Sequence, residues 1–267
     1  MDHRAKLKRA RYHLQTLDDA VLDFSKSDPY EVQVKFNNKQ RLYYAVLKRV
    51  TPLPPDWCLI IGDAVHNLRS ALDTLLYALC CKTLGRCPTE DEVREIVFPV
   101  VNDIKDWNAE CGRRLCFVEK DVRAEILFHQ PFFSTDPALT DTPRHSALGL
   151  IRDLSNVDKH RHLVLAGAAA TSTSVELVGS GIQSGDTVKG YVGPLEAGTI
   201  LASWNFTSNG VKVRLPHESE VEARMKLGLD VQFAEGGPGY GASATATLPK
   251  VCDFLDKMLF PPLEALL

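Results

Sequence analysis

What this sequence lacks excludes several chemistries. It has 7 cysteines but no C-x-x-C pair: Cys80 and Cys81 are adjacent, and four residues separate Cys111 from Cys116. That disfavours a zinc ribbon or a thioredoxin-type motif. There is no H-E-x-x-H, and no G-x-S-x-G surrounds Ser146 or Ser155, so neither a zinc protease nor a serine hydrolase of the usual kind is indicated. The glycine-rich stretch "GGPGYGAS" at 236–243 lacks the G-K-[ST] ending of a phosphate loop, and no strand follows its helix to complete a βαβ unit. A tight or flexible loop is the expectation there.

Positive charge is also in short supply. The formal net charge is −3 over 267 residues, which argues against a basic surface wrapped around duplex DNA. No apolar run reaches the roughly 18 residues of a membrane span. The first residues, "MDHRAKLKRARYHLQ", carry no apolar leader, so a cytoplasmic chain with reduced thiols is expected. Hydrophobic residues make up 45% and charged residues 24%, an ordinary globular composition.

What is present reads as α+β. Leu7, Ala10, Leu14, Leu17, Val21 and Phe24 recur at helical spacing and predict one amphipathic helix over 2–27. Its Arg4, Lys6, Lys8, Arg9 and Arg11 offer either a solvated face or an RNA-contacting one. "YEVQVKF" alternates, "NNKQ" turns, and "RLYYAVLKRV" returns, predicting a β-hairpin at 30–50. Asp56 is placed to cap a helix over about 56–83. Short helices are expected at 89–95, 103–114 and 119–129, and a further one opens after Pro143. Beyond residue 163 the chain becomes β-rich, until Val251, Phe254, Leu255, Met258 and Leu259 mark the apolar side of a closing helix. The expected organisation is a helical N-terminal layer with an inserted hairpin (1–162). A small antiparallel sheet closed by a C-terminal helix (163–267) follows.

Chemistry concentrates in "GDAVHNLRSALD", residues 62–73. Ile61, Val65, Leu68, Leu72, Leu75 and Leu79 form the core stripe of that helix, and Gly62, His66, Arg69 and Asp73 form a second stripe beside it. Apolar Leu59 and Tyr77 lie on the second stripe, and Cys58, Cys80 and Cys81 flank it. This predicts a helix covered nearly all round, with its polar block facing inward. A complementary set lies in "NVDKHR": Asn156, Asp158, Lys159, His160 and Arg161. Arg69 with Asp158 and Asp73 with Arg161 would make a buried polar clasp, in which Asn67 and Asn156 take part. If the site opens to a cleft, His66 and His160 are the candidate catalytic pair. Arg69, Arg161 and Lys159 are then the candidate holders of a phosphate or carboxylate.

"GDAVHNLRSALDTL", "FPV", "QPF", "LSNVDKHRHLVL" and "PLEAGTILA" together resemble a widespread family of uncharacterised bacterial proteins, over about residues 58–260. The resemblance implies a bacterial cytosolic origin and the pairing of the two motifs, but no particular activity. The leading expectation is therefore a binding or interaction protein for a small anionic ligand, with no cofactor. The first alternative is a metal-independent ribonuclease resembling the HEPN type, with RNA as partner. One segment, Arg123 to His129, fits the Arg-x(4–6)-His spacing, a match expected by chance in such a chain. The second alternative is a metal-dependent hydrolase using Asp158, His160 and His162 with His66 and Asp73.

Overall fold

The structure is a computed structural model that describes residues 2–39, 42–133, 146–160, 165–178, 189–204 and 222–267. The fold is α+β. Helix α1 (Asp2–Lys26) leads into strands β1 (Tyr30–Asn37) and β2 (Leu42–Val50). Four helices follow: α2 (Asp56–Leu84), α3 (Glu90–Glu95), α4 (Ile104–Arg114) and α5 (Lys120–Phe128). After a 3-10 turn at Pro131–Phe133 comes α6 (Ala147–His160). Strands β3 (Leu165–Val178), β4 (Lys189–Gly190), β5 (Gly193–Pro194), β6 (Ile200–Trp204) and β7 (Glu222–Phe233) precede the final helices, α7 (Ala244–Phe254) and α8 (Phe260–Glu264).

The chain forms two compact units, and they do not divide at residue 162. One contains residues 1–18, 55–165 and 233–267; the other contains 19–54 and 166–232. The hairpin thus belongs with the later strands, and the closing helices belong with α2 and α6. Pairing explains the first of these. One edge of β2 is taken by β1, and the other pairs antiparallel with β6, setting Tyr43 opposite Trp204. The result is a four-stranded sheet in the order β1-β2-β6-β4. A second sheet runs β5-β3-β7. Leu47, Ala170, Leu195 and Leu201 form the core of this unit, with Tyr30, Val32 and Tyr191 packed against it.

In the helical unit the core stripe of α2 is buried as its spacing predicts: Ile61, Val65, Leu68, Leu72, Leu75 and Leu79 are all at 1% exposure or less. The helix starts without a side-chain cap, because Pro55 holds the cap position. Asp56 is its first helical residue, where it complements the helix dipole and does not cap. Gly85 ends it in a left-handed conformation, φ 67°. Along α6, Ala147, Leu150, Ile151 and Leu154 are buried, and α6 packs on α2.

The closing helix departs from a simple stripe. A π turn at Leu255–Leu259 separates α7 from α8, just before Pro261 and Pro262, which have no N–H to return to the preceding turn. The wider turn shifts the phase, so Met258 is exposed while Leu255 and Leu259 stay buried. The same segment receives two of the basic side chains of α1. Arg4 forms a two-pronged bond to Glu264 and also reaches Asp256; Arg11 pairs with Asp253 and Asp256. The buried His3 ring contacts the Glu264 carboxylate at 2.6 Å and packs edge-on against Phe260. These contacts give part of the basic face of α1 a structural role.

Bonding to Arg4, then to His3, holds the Glu264 carboxyl down at about 2, against an ordinary 4.5. A carboxylate depressed in the folded state stabilises it fully above the ordinary value and loses that contribution as pH falls toward the depressed one. Replacing Glu264→Gln should therefore lower the melting temperature at pH 7. It should also flatten the decline in stability between pH 4.5 and 2, as read from melting curves at stepped pH.

The glycine-rich stretch is a tight loop. Gly241 donates to the Phe233 carbonyl, Phe233 donates to Ala242, and Ala242 donates to Gly239. Ser243 then caps α7 by accepting from Ala246. The amides of Gly237, Gly241 and Ala242 are spent on closing the loop. Gly239 has φ +73°, and a Cβ there would lie 3.0 Å from the Phe233 ring and 3.2 Å from Leu150. Gly239→Ala should cost about 2 kcal/mol, combining left-handed strain with overpacking, measurable by urea unfolding.

Candidate functional site

The site is built around a backbone segment with no secondary structure. Between α3 and α4, residues 96–101 ("IVFPVV") run without helix or ladder, and Phe98, Pro99, Val100 and Val101 are buried. Buried peptide groups must find hydrogen-bond partners. Here side chains from three helical regions supply them. Asp73 Oδ1 on α2 accepts from the Phe98 N–H at 2.8 Å, and Arg69 Nη2 donates to the Phe98 carbonyl at 2.7 Å. Gln130, fully buried at the end of α5, accepts from Val101 N–H and donates to the carbonyls of Pro99 and Ile126. Arg152 on α6 donates to the Val100 carbonyl at 3.3 Å.

The polar block of α2 is therefore half of a clasp whose other half is a peptide unit. Arg69 and Asp73 grip Phe98 from both of its backbone groups and bond each other at 3.1 Å. This corrects the expected Arg69–Asp158 pair. Arg69 takes Phe98 and Asp73, while the Asp158 carboxylate lies over Gly62, where an added Cβ would come within 2.6 Å of Oδ1. A Cβ at Gly62 would displace the exposed Asp158 carboxylate. The expected Asp73–Arg161 pair involves Arg161, which lies outside the described residues, as do the side chains of Lys159 and His160.

The prediction that α2 is covered nearly all round is also corrected. Leu59 is 65% exposed, and Asp63 and His66 are exposed. The cover on this side comes from one narrow segment, which reaches Arg69 and Asp73 and not the turns before them. Asn67 is buried, but it donates to the Asp63 carbonyl of its own helix and lines neither cavity described below. Arg123 and His129 are bound elsewhere, Arg123 to the Val118 carbonyl and His129 to Glu125.

Beside the gripped segment is a cavity of about 450 Å³ whose lining includes Arg69, Asp73, Arg114, Arg152, Glu110 and Asn156. Asn156, Arg69 and Asp73 are expected site residues, the last two with other partners than each other; Arg114, Glu110 and Arg152 are not. No local pattern marks them, because α4 and α6 supply them from far apart in the chain. Each of the three guanidinium groups is tied to a main-chain carbonyl of the stretch 94–100: Arg114 to Arg94, Arg69 to Phe98 and Arg152 to Val100. Each also meets a carboxylate: Glu95 and Glu110 for Arg114, Asp73 for Arg69, Asp153 for Arg152. Their side chains are 13–23% exposed, which holds them firmly yet within reach of a ligand.

The charge of the lining decides what it suits. Three guanidiniums share the cavity wall with two carboxylates, Asp73 and Glu110, and Glu95 and Asp153 bond Arg114 and Arg152 from outside that wall, so the arginines offer a ligand directed N–H donors and no surplus positive charge. Among the described residues, all bonds from Arg69 use Nη2, so Nε and Nη1 keep donors for a ligand. A second groove, of about 370 Å³, adjoins the same ion pair and is lined by His66, Arg69, Asp73, Thr74, Tyr77 and Ile96 among others. His66 and Arg69 thus share a groove.

Among the described residues no three His, Cys, Asp or Glu side chains cluster as a metal ion would require, and no helix is long and apolar enough to cross a membrane. Comparison of the chain with protein-family models, with curated proteins and with solved structures finds no match in any of the three.

Proposed function

We propose that this chain is a binding protein for a small organic anion, held in the cavity formed by Arg69, Arg114 and Arg152. The observation that carries this reading is the tethering of all three guanidiniums to main-chain carbonyls of residues 94–100. A free arginine loses rotamer entropy when it binds an anion; a tethered one has lost most of it on folding. Each guanidinium is already paired with a carboxylate, and that balance favours a single carboxylate or phosphodiester over a polyanion. The family resemblance supports a bacterial cytoplasmic setting.

Titration followed by amide and arginine Nε NMR tests this, with acetate, dimethyl phosphate, inorganic phosphate and citrate as probes. Saturable shifts centred on Arg69, Arg114 and Arg152 are expected with the two monoanions, and should disappear in Arg114→Gln and Arg152→Gln. Absence of saturable shifts with all four probes, or shifts that persist in both variants, would overturn the reading.

A ribonuclease is the second reading, favoured by the exposed imidazole of His66 in one groove with Arg69. It requires RNA cleavage that resists EDTA and is lost in His66→Ala; cleavage that survives this substitution belongs to a contaminant.

A further inference from the structure

The arginine cavity and the adjoining groove share two wall residues, Arg69 and Asp73, and differ in everything else. The cavity side sets the charged groups of Arg69, Asp73, Glu110, Arg114 and Arg152 against the segment 97–100. The groove side is mainly apolar, walled by Val93 and Ile96 from the end of α3 and by Tyr77 from α2. Of its hydroxyl groups, that of Thr74 is bound back to the Ser70 carbonyl at 2.7 Å. Val93 is 42% exposed although it is aliphatic. The two depressions therefore adjoin one ion pair, the first walled by paired guanidiniums and the second by an uncovered apolar surface.

We infer that the ligand has two parts, a carboxylate seated among Arg69, Arg114 and Arg152 and an apolar, ring-sized body lying across the Arg69–Asp73 pair in the groove of Tyr77, Val93 and Ile96. This rests on the anion-binding reading and narrows it to aryl- or branched-chain carboxylic acids. The groove, of about 370 Å³, has room for a ring. A planar guanidinium at the boundary also suits a ring, because its face can stack while its edge bonds the carboxylate. A bare anion uses only the cavity and leaves the apolar wall in water. A ligand with a ring gains from that wall, and tenfold in affinity needs only about 1.4 kcal/mol.

The test compares 3-phenylpropionate with acetate, by NMR titration, on the wild-type chain and on Val93→Ser and Tyr77→Ser. Val93 is exposed enough for its replacement to leave the fold intact, and melting curves check both variants. In the wild type, 3-phenylpropionate should bind at least about tenfold more tightly than acetate. In the groove variants that advantage should shrink to about threefold or less, with acetate affinity unchanged. Equal affinities in the wild type, or an advantage that survives both substitutions, would overturn the two-part ligand while leaving anion binding standing. Failure of both acids to bind would overturn the anion-binding reading and this inference with it.

Discussion

Asp73→Ala should destabilise the protein by about 3 kcal/mol, far more than its half-buried position on a helix surface suggests. The substitution does two things at once. It leaves the buried Phe98 N–H without its acceptor, and it removes the carboxylate that bonds Arg69. Asp73→Asn is the informative control, since its amide oxygen can still accept from Phe98. Its cost should be about 1 kcal/mol, mostly the weakened contact with Arg69. Arg69→Met should also destabilise, because the Phe98 carbonyl loses a charged donor at 2.7 Å. The double substitution Arg69→Met/Asp73→Ala should cost less than the sum of the two single ones, since each partner is most costly when stranded alone. Urea unfolding at pH 7 measures all four. Additive losses would mean that the two residues act separately.

Gln130→Ala should cost about 3 kcal/mol or more. The Gln130 side chain is fully buried and makes three bonds to main-chain groups, at Val101, Pro99 and Ile126. No other residue type offers both an acceptor and two donors on a chain of that length. Gln130→Leu fills the volume but satisfies none of the three groups, so it should be nearly as damaging as alanine. Gln130→Glu should be no better at pH 7, since a buried carboxylate would face two carbonyl oxygens. A Gln130→Leu variant as stable as the wild type would mean that volume at this position matters and hydrogen bonding does not.

Much of the architecture is legible in the chain because it rests on local rules. The stripes of α1, α2 and α6 follow helical spacing, and β1 alternates cleanly between half-buried and exposed residues. The departures have specific causes. Met258 leaves its stripe because two consecutive prolines force a wider turn ahead of them. The hairpin joins the later strands because an unpaired β2 edge must find a partner, and sequence order does not say which.

For the site, the charges of "GDAVHNLRSALD" correctly signal a clasp but not its target. Complementary side chains in "NVDKHR" look like the natural partner, whereas the actual one is the peptide unit of Phe98. Main-chain groups are the same at every residue, so no pattern of side chains reveals which of them needs to be satisfied. "FPV" and "QPF" do carry the signal in retrospect. A short apolar segment too short for a helix, broken by Pro99, has peptide groups to place, and a glutamine beside a proline is well suited to meet them.

The most direct measurement is hydrogen exchange at the Phe98 amide. In the wild type it should be protected to nearly the extent of the α2 core amides, although it lies in no helix or sheet. Asp73→Ala should abolish that protection selectively, while Asp73→Asn and Asp158→Ala should largely preserve it. If Phe98 exchanges freely in the wild type, or if its protection depends on Asp158 and not on Asp73, then the grip of α2 on this segment is not what orders the arginine cavity.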